Sequence, residues 1–311
     1  MLNLITKSGL ALFIILTAVL VIMQTAANQI ETGRVLVYES ERDIYIALLD
    51  SADRLNLTSS RDFEDAATWT PDGERILYYA KSRDGETHAL YTMTPIGRDK
   101  TKLVTLNLHP SQRITTLTYA PDGTQIAYRA SGVFGSSLYV MNADGSAQRH
   151  LIRMEGRDYM LAWSPDGRQL LYIDELIGLS GAALARGIHT IDVNTLDRTE
   201  IISFLDEITR RSRFVYAAKW ADDGRILFVE RIDTEKALYA VNPDGTNREH
   251  LRALPERTSR PIYWHGDSLI FPVYTGQFGN AVETQRLETA TGDIEPLPLG
   301  IGWRYSIAWR P

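Results

Sequence analysis

Two apolar patterns divide the chain. From Gly9 to Met23 almost every side chain is apolar, and no charge falls between Lys7 and Glu31. Beyond residue 31 the apolar residues come in short bursts of β-branched and aromatic side chains, such as Arg75-Ile76-Leu77-Tyr78, Gln125-Ile126-Ala127-Tyr128, Gln169-Leu170-Leu171-Tyr172 and Arg225-Ile226-Leu227-Phe228. Second bursts follow, among them Leu90-Tyr91-Thr92-Met93 and Leu138-Tyr139-Val140-Met141. These runs are too short for helices and are broken by glycine and proline, so they predict strands.

The bursts repeat with a shared punctuation. Trp69-Thr70-Pro71-Asp72-Gly73, Tyr119-Ala120-Pro121-Asp122-Gly123, Trp163-Ser164-Pro165-Asp166-Gly167 and Trp220-Ala221-Asp222-Asp223-Gly224 carry one pattern, and Trp264-His265-Gly266-Asp267 is a worn copy. The aromatic anchors lie 50, 44, 57 and 44 residues apart. Pro-Asp-Gly between two apolar bursts closes a hairpin: proline presets its backbone angle, aspartate bonds nearby amides, and glycine takes positive φ. Asn142-Ala143-Asp144-Gly145 and Asn242-Pro243-Asp244-Gly245 mark a second hairpin, leading to strands that carry His150-Leu151 and His250-Leu251. Each unit thus reads as four antiparallel strands of similar length. One such sheet cannot bury both faces, but several set radially can, which predicts an all-β propeller.

The two ends of the chain complete one another. Trp309-Arg310-Pro311 stops in mid-motif, while Thr32-Gly33-Arg34-Val35-Leu36-Val37-Tyr38 starts in mid-motif. Tyr38 follows Gly33 by five residues, just as Tyr78, Tyr128 and Tyr172 follow Gly73, Gly123 and Gly167. Anchors at Trp69, Tyr119, Trp163, Trp220, Trp264 and Trp309 therefore predict a six-bladed β-propeller over residues 31–311, closed by pairing of the N- and C-terminal strands. Closure of this kind removes open sheet edges.

The N-terminal segment, residues 1–30, reads as one membrane-targeting helix. Its apolar core of 15 residues is at the upper end for a signal peptide and short of the roughly 20 that span a bilayer, although uncharged flanks extend it to Ile30. A signal anchor is the favoured reading, and a signal peptide cleaved after Thr25-Ala26-Ala27 is the alternative. Either way Lys7 stays cytoplasmic and the propeller is exported to the outer side of the membrane.

Composition narrows the chemistry. The 311 residues are 44% hydrophobic with a net charge of -6, which argues against a nucleic-acid binder. The absence of cysteine excludes disulfides, thiolate nucleophiles and cysteine-ligated metals. No His-Glu-x-x-His pair, phosphate-binding loop or Gly-x-Ser-x-Gly elbow occurs. His88, His109, His150, His189, His250 and His265 are scattered, and no cofactor or metal is expected. The Asn-x-Asp-Gly turns lack the acidic residue that would close a calcium loop. Asp72, Asp122, Asp166 and Asp223 read as turn residues, and the Trp anchors as packing between sheets and not as a sugar-stacking set. Asn56-Leu57-Thr58 is a glycosylation sequon only in a eukaryotic host.

One constellation invites function. An arginine stands four to eight residues before every anchor: Arg61, Arg113, Arg157, Arg213, Arg260 and Arg304. These linkers surround one mouth of the predicted channel, where an arginine ring would take a carboxylate, a phosphate or an acidic peptide. Phe63, Tyr159, Phe214, Trp303 and Tyr305 lie beside them, while Asp62 and Asp158 are placed to neutralise two of the six. Two insertions break the repeat, Ile177 to Gly187 and Phe204 to Arg213, and read as surface loops.

The Trp-Ser-Pro-Asp-Gly units followed by Leu-Tyr strands resemble the PD40 repeats of the TolB family of β-propellers, over about residues 31–311. TolB proteins carry an α/β domain ahead of the propeller, where this chain has the targeting segment. The expectation is a monomeric propeller, tethered by its N-terminal segment, that like the TolB-type propellers it resembles binds or scaffolds an envelope protein or peptide without catalysis. A hydrolase or lyase of glycans or acidic envelope substrates, with Asp62 and Asp158 as acid or base, is the alternative, and a ligand-binding sensory domain is a third.

Overall fold

The computed structural model describes residues 35–40, 42–48, 54–133, 135–154, 160–177, 183–203, 214–232, 234–259, 262–275, 281–297 and 307–309. They form β1 (Val35–Ser40), β2 (Asp43–Leu48), β3 (Arg54–Asn56), β4 (Phe63–Trp69), β5 (Ile76–Lys81), β6 (His88–Met93), β7 (Thr101–Leu106), β8 (Arg113–Tyr119), β9 (Gln125–Gly132), β10 (Gly135–Asn142), β11 (Arg149–Met154) and β12 (Leu161–Trp163). There follow β13 (Gln169–Ile177), β14 (Ala183–Asp192), β15 (Arg198–Ile202), β16 (Phe214–Trp220), β17 (Ile226–Ile232), β18 (Glu235–Val241), β19 (Glu249–Ala253), β20 (Tyr263–His265), β21 (Ser268–Thr275), β22 (Ala281–Glu288), β23 (Ile294–Leu297) and β24 (Ile307–Trp309). No helix of the described residues is long and apolar enough to cross a membrane. The helix expected over residues 1–30 lies outside them.

Four of the sheets have four strands, in the orders β24-β1-β2-β3, β4-β5-β6-β7, β11-β10-β9-β8 and β20-β21-β22-β23. A larger sheet holds β12 to β15 and β16 to β19, and its two halves meet at a single parallel bridge, Arg186 to Phe214. Within each four-strand unit the pairing is antiparallel. β24 pairs with β1 by Leu36 to Trp309 and Tyr38 to Ile307, so strands from opposite ends of the chain share one sheet.

The second strand of each unit is apolar on both faces because each sheet is covered on both sides. Ile76 and Tyr78 pack with Val37, Ile44 and Ile46 of the preceding sheet, whereas Leu77 and Tyr79 pack with Ile114, Ile126 and Tyr128 of the following one. Leu170 and Tyr172 face back toward Val140, while Leu171 and Ile173 face forward toward Val215 and Phe228. Leu227 and Val229 continue the series onto Leu269 and Phe271. Consecutive sheets therefore stack face to face. Trp69 and Trp163, 3% and 7% exposed, sit in these inter-sheet cores, and Trp220 and Trp264 pack against them half-buried. The side chain of Trp309 lies outside the described residues.

Directly opposed residues on the second and third strands form an aromatic rung across most units. Tyr38–Tyr45, Tyr78–Tyr91, Tyr128–Tyr139, Tyr172–His189 and Phe228–Tyr239 stack with centroids 5.6, 5.7, 5.1, 5.6 and 5.5 Å apart. His150 and His250 extend two rungs edge-on against Tyr139 and Tyr239, each at 5.2 Å. Such pairs contribute about 0.5–1.5 kcal/mol each beyond buried area.

The motif turns are held as their chemistry demands. Asp72 Oδ1 accepts from Glu74 N at 2.9 Å and from Thr70 Oγ1 at 2.5 Å, and Asp122, Asp166 and Asp223 accept from the amides of Thr124, Arg168 and Arg225. Gly73, Gly123, Gly167 and Gly224 all have positive φ. The turns also touch one another: a Cβ on Gly123 would lie 3.3 Å from Pro71 Cγ, and one on Gly167 would lie 3.9 Å from Pro121 Cδ. The strands are less uniform than the repeat suggests, with three residues in β12, nine in β13 and ten in β14. Much of the first insertion is strand, since Ala183–Gly187 belongs to β14; residues 178–182 and the second insertion lie outside the described residues.

A paired comparison separates backbone strain from steric clash at two turn glycines, Gly97 between β6 and β7 and Gly224 in the motif turn between β16 and β17. Gly97 and Gly224 have φ of 77° and 82°, but a Cβ on Gly97 would meet Leu57 O at 2.5 Å whereas one on Gly224 meets nothing within 4 Å. Both alanine variants bear a left-handed penalty of about 1–2 kcal/mol. Gly97→Ala is expected to lose about 1–3 kcal/mol more through the clash, read as the difference in urea-unfolding midpoints.

Candidate functional site

The ends of the sheets opposite the motif turns carry the sequence-predicted mouth. Arg61 lies in a bend before β4, exposed, and no hydrogen bond or ion pair is found for it among the described residues. Arg113 opens β8 with its side chain 49% exposed, and it pairs with Asp65 Oδ2 on β4 of the neighbouring sheet at 3.4 Å. Arg113 is thus partnered by Asp65, a carboxylate outside the set the linear spacing singled out. Arg157, Arg213, Arg260 and Arg304 lie outside the described residues, as do Asp158, Tyr159, Trp303 and Tyr305.

Local backbone departures set this rim. β4 bulges between Asp65 and Thr68, β8 between Ile114 and Thr116, and β16 between Val215 and Ala217. Ala66 takes φ 46° in the first bulge, and its amide donates to Asp65 Oδ1 at 2.8 Å. Bulges at strand ends re-aim side chains.

Two aromatics flagged beside the arginines are present at the rim, under cations other than those expected. The Arg42 guanidinium lies 4.4 Å from the Phe63 ring centre, and that of Arg231 lies 4.6 Å from Phe214. Arg42 comes from the turn between β1 and β2 and Arg231 from the end of β17, a spatial neighbourhood the linear spacing does not reveal. Lysines tie the linkers in place: Lys81 Nζ donates to Pro110 O, and Lys236 Nζ donates to Thr258 O at 2.7 Å.

A buried carboxylate beside the rim is absent from the sequence-derived set. Glu64 on β4 is 5% exposed, and its Oε2 has no hydrogen-bond partner among the described residues. Burial pushes its pKa up from 4.5 to about 7, and the nearby Asp43 charge adds to the rise against hydrogen bonds from Thr58 and Ser60. Asp43 is itself occupied, accepting from Asn56 Nδ2 at 2.7 Å, Thr58 Oγ1 at 3.3 Å and Ser60 N at 3.3 Å. The sequon asparagine therefore spends its side chain inside this cluster. The signal for Glu64 was available in the repeat: it opposes Ala80, and the equivalent residue opposing Ala130 is Ile114. An acid where a sister sheet carries isoleucine marks a special position.

Several of the other flagged groups make packing and turn contacts. His88 Nδ1 bonds the Tyr79 hydroxyl at 2.7 Å, and His189 stacks on Tyr172. Asp72, Asp122, Asp166 and Asp223 are held below the usual carboxylate range by hydrogen bonds, from the Thr70 side chain first at Asp72 and the Ser164 side chain first at Asp166, and from backbone amides first at Asp122 and Asp223. No group of three or more His, Cys, Asp or Glu suited to a metal occurs among the described residues.

Face-to-face stacking of antiparallel four-stranded sheets, with the charged rim on their linker ends, defines an all-β propeller. The chain belongs to the TolB β-propeller domain family (PD40), which matches residues 38–265. Among solved structures it is similar to TolB from Acinetobacter baumannii, at 18% identity and a TM-score of 0.63, covering 89% of this chain and 66% of that one. The chain thus spans a little under two thirds of that relative. It is also similar to a chain of the nidogen/laminin complex, at 12% identity and TM-score 0.62, covering 89% and 98%. A third neighbour is an oligogalacturonate lyase in complex with manganese, at 12% identity and TM-score 0.61, covering 85% and 73%. At these identities the likeness is one of fold.

Glu64 gives a pH signature of definite sign. Its folded-state pKa lies above the unfolded value, so the native state holds a proton the unfolded state has lost between pH 4.5 and about 7. Stability is expected to fall as pH rises through that window and then level off, by at most about 3 kcal/mol. Thermal melts at pH 5 and pH 8 should show this fall in the wild type and a smaller one in Glu64→Gln, which stays uncharged.

Proposed function

We propose that the protein is an exported propeller of six four-stranded blades, anchored by residues 1–30, that acts as a non-enzymatic binding or scaffolding module of the cell envelope. The count of six treats the large sheet as two blades meeting at the Arg186 to Phe214 bridge. The propeller domain occupies residues 31–311. The observation that carries the binding role is the rim: Arg61 is exposed just before an innermost strand, and at the starts of two innermost strands the rings of Phe63 and Phe214 are capped by Arg42 and Arg231. Such a surface suits an acidic envelope protein or peptide, met by charge-assisted arginine bonds. The fold is shared with TolB and with a chain of the nidogen/laminin complex, a protein assembly, so a propeller of this architecture is compatible with protein binding.

The test is affinity capture with crosslinking from native membranes, using the tagged full chain. Reproducible recovery of an envelope protein is expected, weakened about tenfold or more by Arg61→Glu combined with Arg157→Glu. Undiminished recovery by that variant would remove the rim as the contact surface.

Glu64 favours a second reading, a hydrolase or lyase acting on an acidic glycan, because a carboxyl group that titrates near neutrality can donate a proton. In that case Glu64, and not Asp62 or Asp158, would be the acid. Turnover of an acidic oligosaccharide that disappears in Glu64→Gln would establish it.

A further inference from the structure

The register of the closing sheet fixes the side from which the chain enters the propeller. Leu36 opposes Trp309 just as Ile76 opposes Trp69, and Tyr38 opposes Ile307 as Tyr78 stands two residues past Ile76. Val35 therefore occupies the place of Arg75, at the end of a motif turn. In the closing sheet β1 therefore begins at the end where the other sheets have Pro-Asp-Gly.

The motif turns gather on one side of the stack. A Cβ on Gly123 would lie 3.3 Å from Pro71 and one on Gly167 3.9 Å from Pro121, so successive motif turns lie side by side. The linker ends gather on the other side, where Arg113 reaches Asp65, Lys81 reaches Pro110 and Lys236 reaches Thr258, in each pair from one sheet to the next sheet or to the linker leading into it. β5 runs from one side to the other, with Glu74 before it and Arg83 after it, both exposed.

Only residues 31–34 separate the apolar segment ending at Ile30 from β1. Fully extended, that stretch reaches under about 20 Å. We infer that the motif-turn face, with Asp72, Asp122, Asp166 and Asp223, is the face held next to the bilayer, and that the rim bearing Arg61 and Arg113 points away from it. This rests on the membrane-anchor reading above. It deepens that reading by stating which surface a partner in the aqueous compartment meets. The turn aspartates are exposed carboxylates held below the usual carboxylate range by their turn hydrogen bonds.

The absence of cysteine makes the test direct. Glu74→Cys and Arg83→Cys, each carrying a fluorophore, are made in the full chain and reconstituted into vesicles containing a headgroup-quencher lipid. The two sites lie at opposite ends of a strand about 20 Å long, so quenching about twofold or more stronger at position 74 is expected. Equal quenching, or stronger quenching at position 83, in protein that floats with the vesicles overturns the orientation while leaving the anchor intact. Protein that fails to float with vesicles overturns the anchor, and the orientation falls with it. Melting temperatures of both labelled variants within a few degrees of the wild type exclude misfolding as the source of a difference.

Discussion

A four-stranded sheet whose second strand is apolar on both faces has nowhere to stand alone. Ile76 and Tyr78 look one way while Leu77 and Tyr79 look the other, and all four are essentially inaccessible to solvent. Each such side chain contributes about 1.5–3 kcal/mol when its burial is complete, and it can be buried only if a sheet lies on each side. The requirement passes from sheet to sheet, so the stack has no natural end except in meeting itself. Pairing of β24 with β1 puts strands from both ends of the chain into one sheet. The Trp anchors, the proline-to-glycine contacts between turns and the stacked aromatic rungs all serve the same stacking.

Because the faces of the sheets are committed to packing, charge collects at their ends and outer strands. Asp174 and Glu230 occupy equivalent positions on β13 and β17, and each meets an arginine from the fourth strand, Arg198 and Arg248. Those arginines also lie over Tyr172 and Tyr239, 5.7 and 4.3 Å from the ring centres. The same ion pair capping the same aromatic rung in two units is a repeated device invisible in the spacing of acids and bases. Glu175 and Arg186 form a further buried pair on the lengthened hairpin, 2.7 Å apart. Removing one partner of such a pair leaves a buried charge uncompensated, so these residues are tied to stability before any binding role.

The fold is shared with proteins of differing character, among them TolB, a chain of the nidogen/laminin complex and a lyase. What distinguishes uses of one fold is the rim chemistry and the way the ring is presented. Here the rim combines an exposed arginine, cation-capped aromatics and one buried carboxyl group with a neutral-range pKa. In the orientation inferred above, a tether on the opposite face would leave that rim open to the surrounding compartment.

The repeat and its strands were legible in the residues because turn chemistry is local: Asp72 bonds the amide two residues on, and Gly73 needs only its own φ. The pairing of the chain ends was legible too, since Tyr38 keeps the motif spacing. Tertiary structure decided what depends on residues distant in sequence. It set Asp65 against Arg113, placed Arg42 and Arg231 over Phe63 and Phe214, and drew much of a supposed loop into β14. Above all it buried Glu64 beside Asp43, some twenty residues away, and so moved its proton affinity into the neutral range. A carboxylate's pKa is a property of its dielectric surroundings and neighbouring charges, and those exist only once the sheets have stacked.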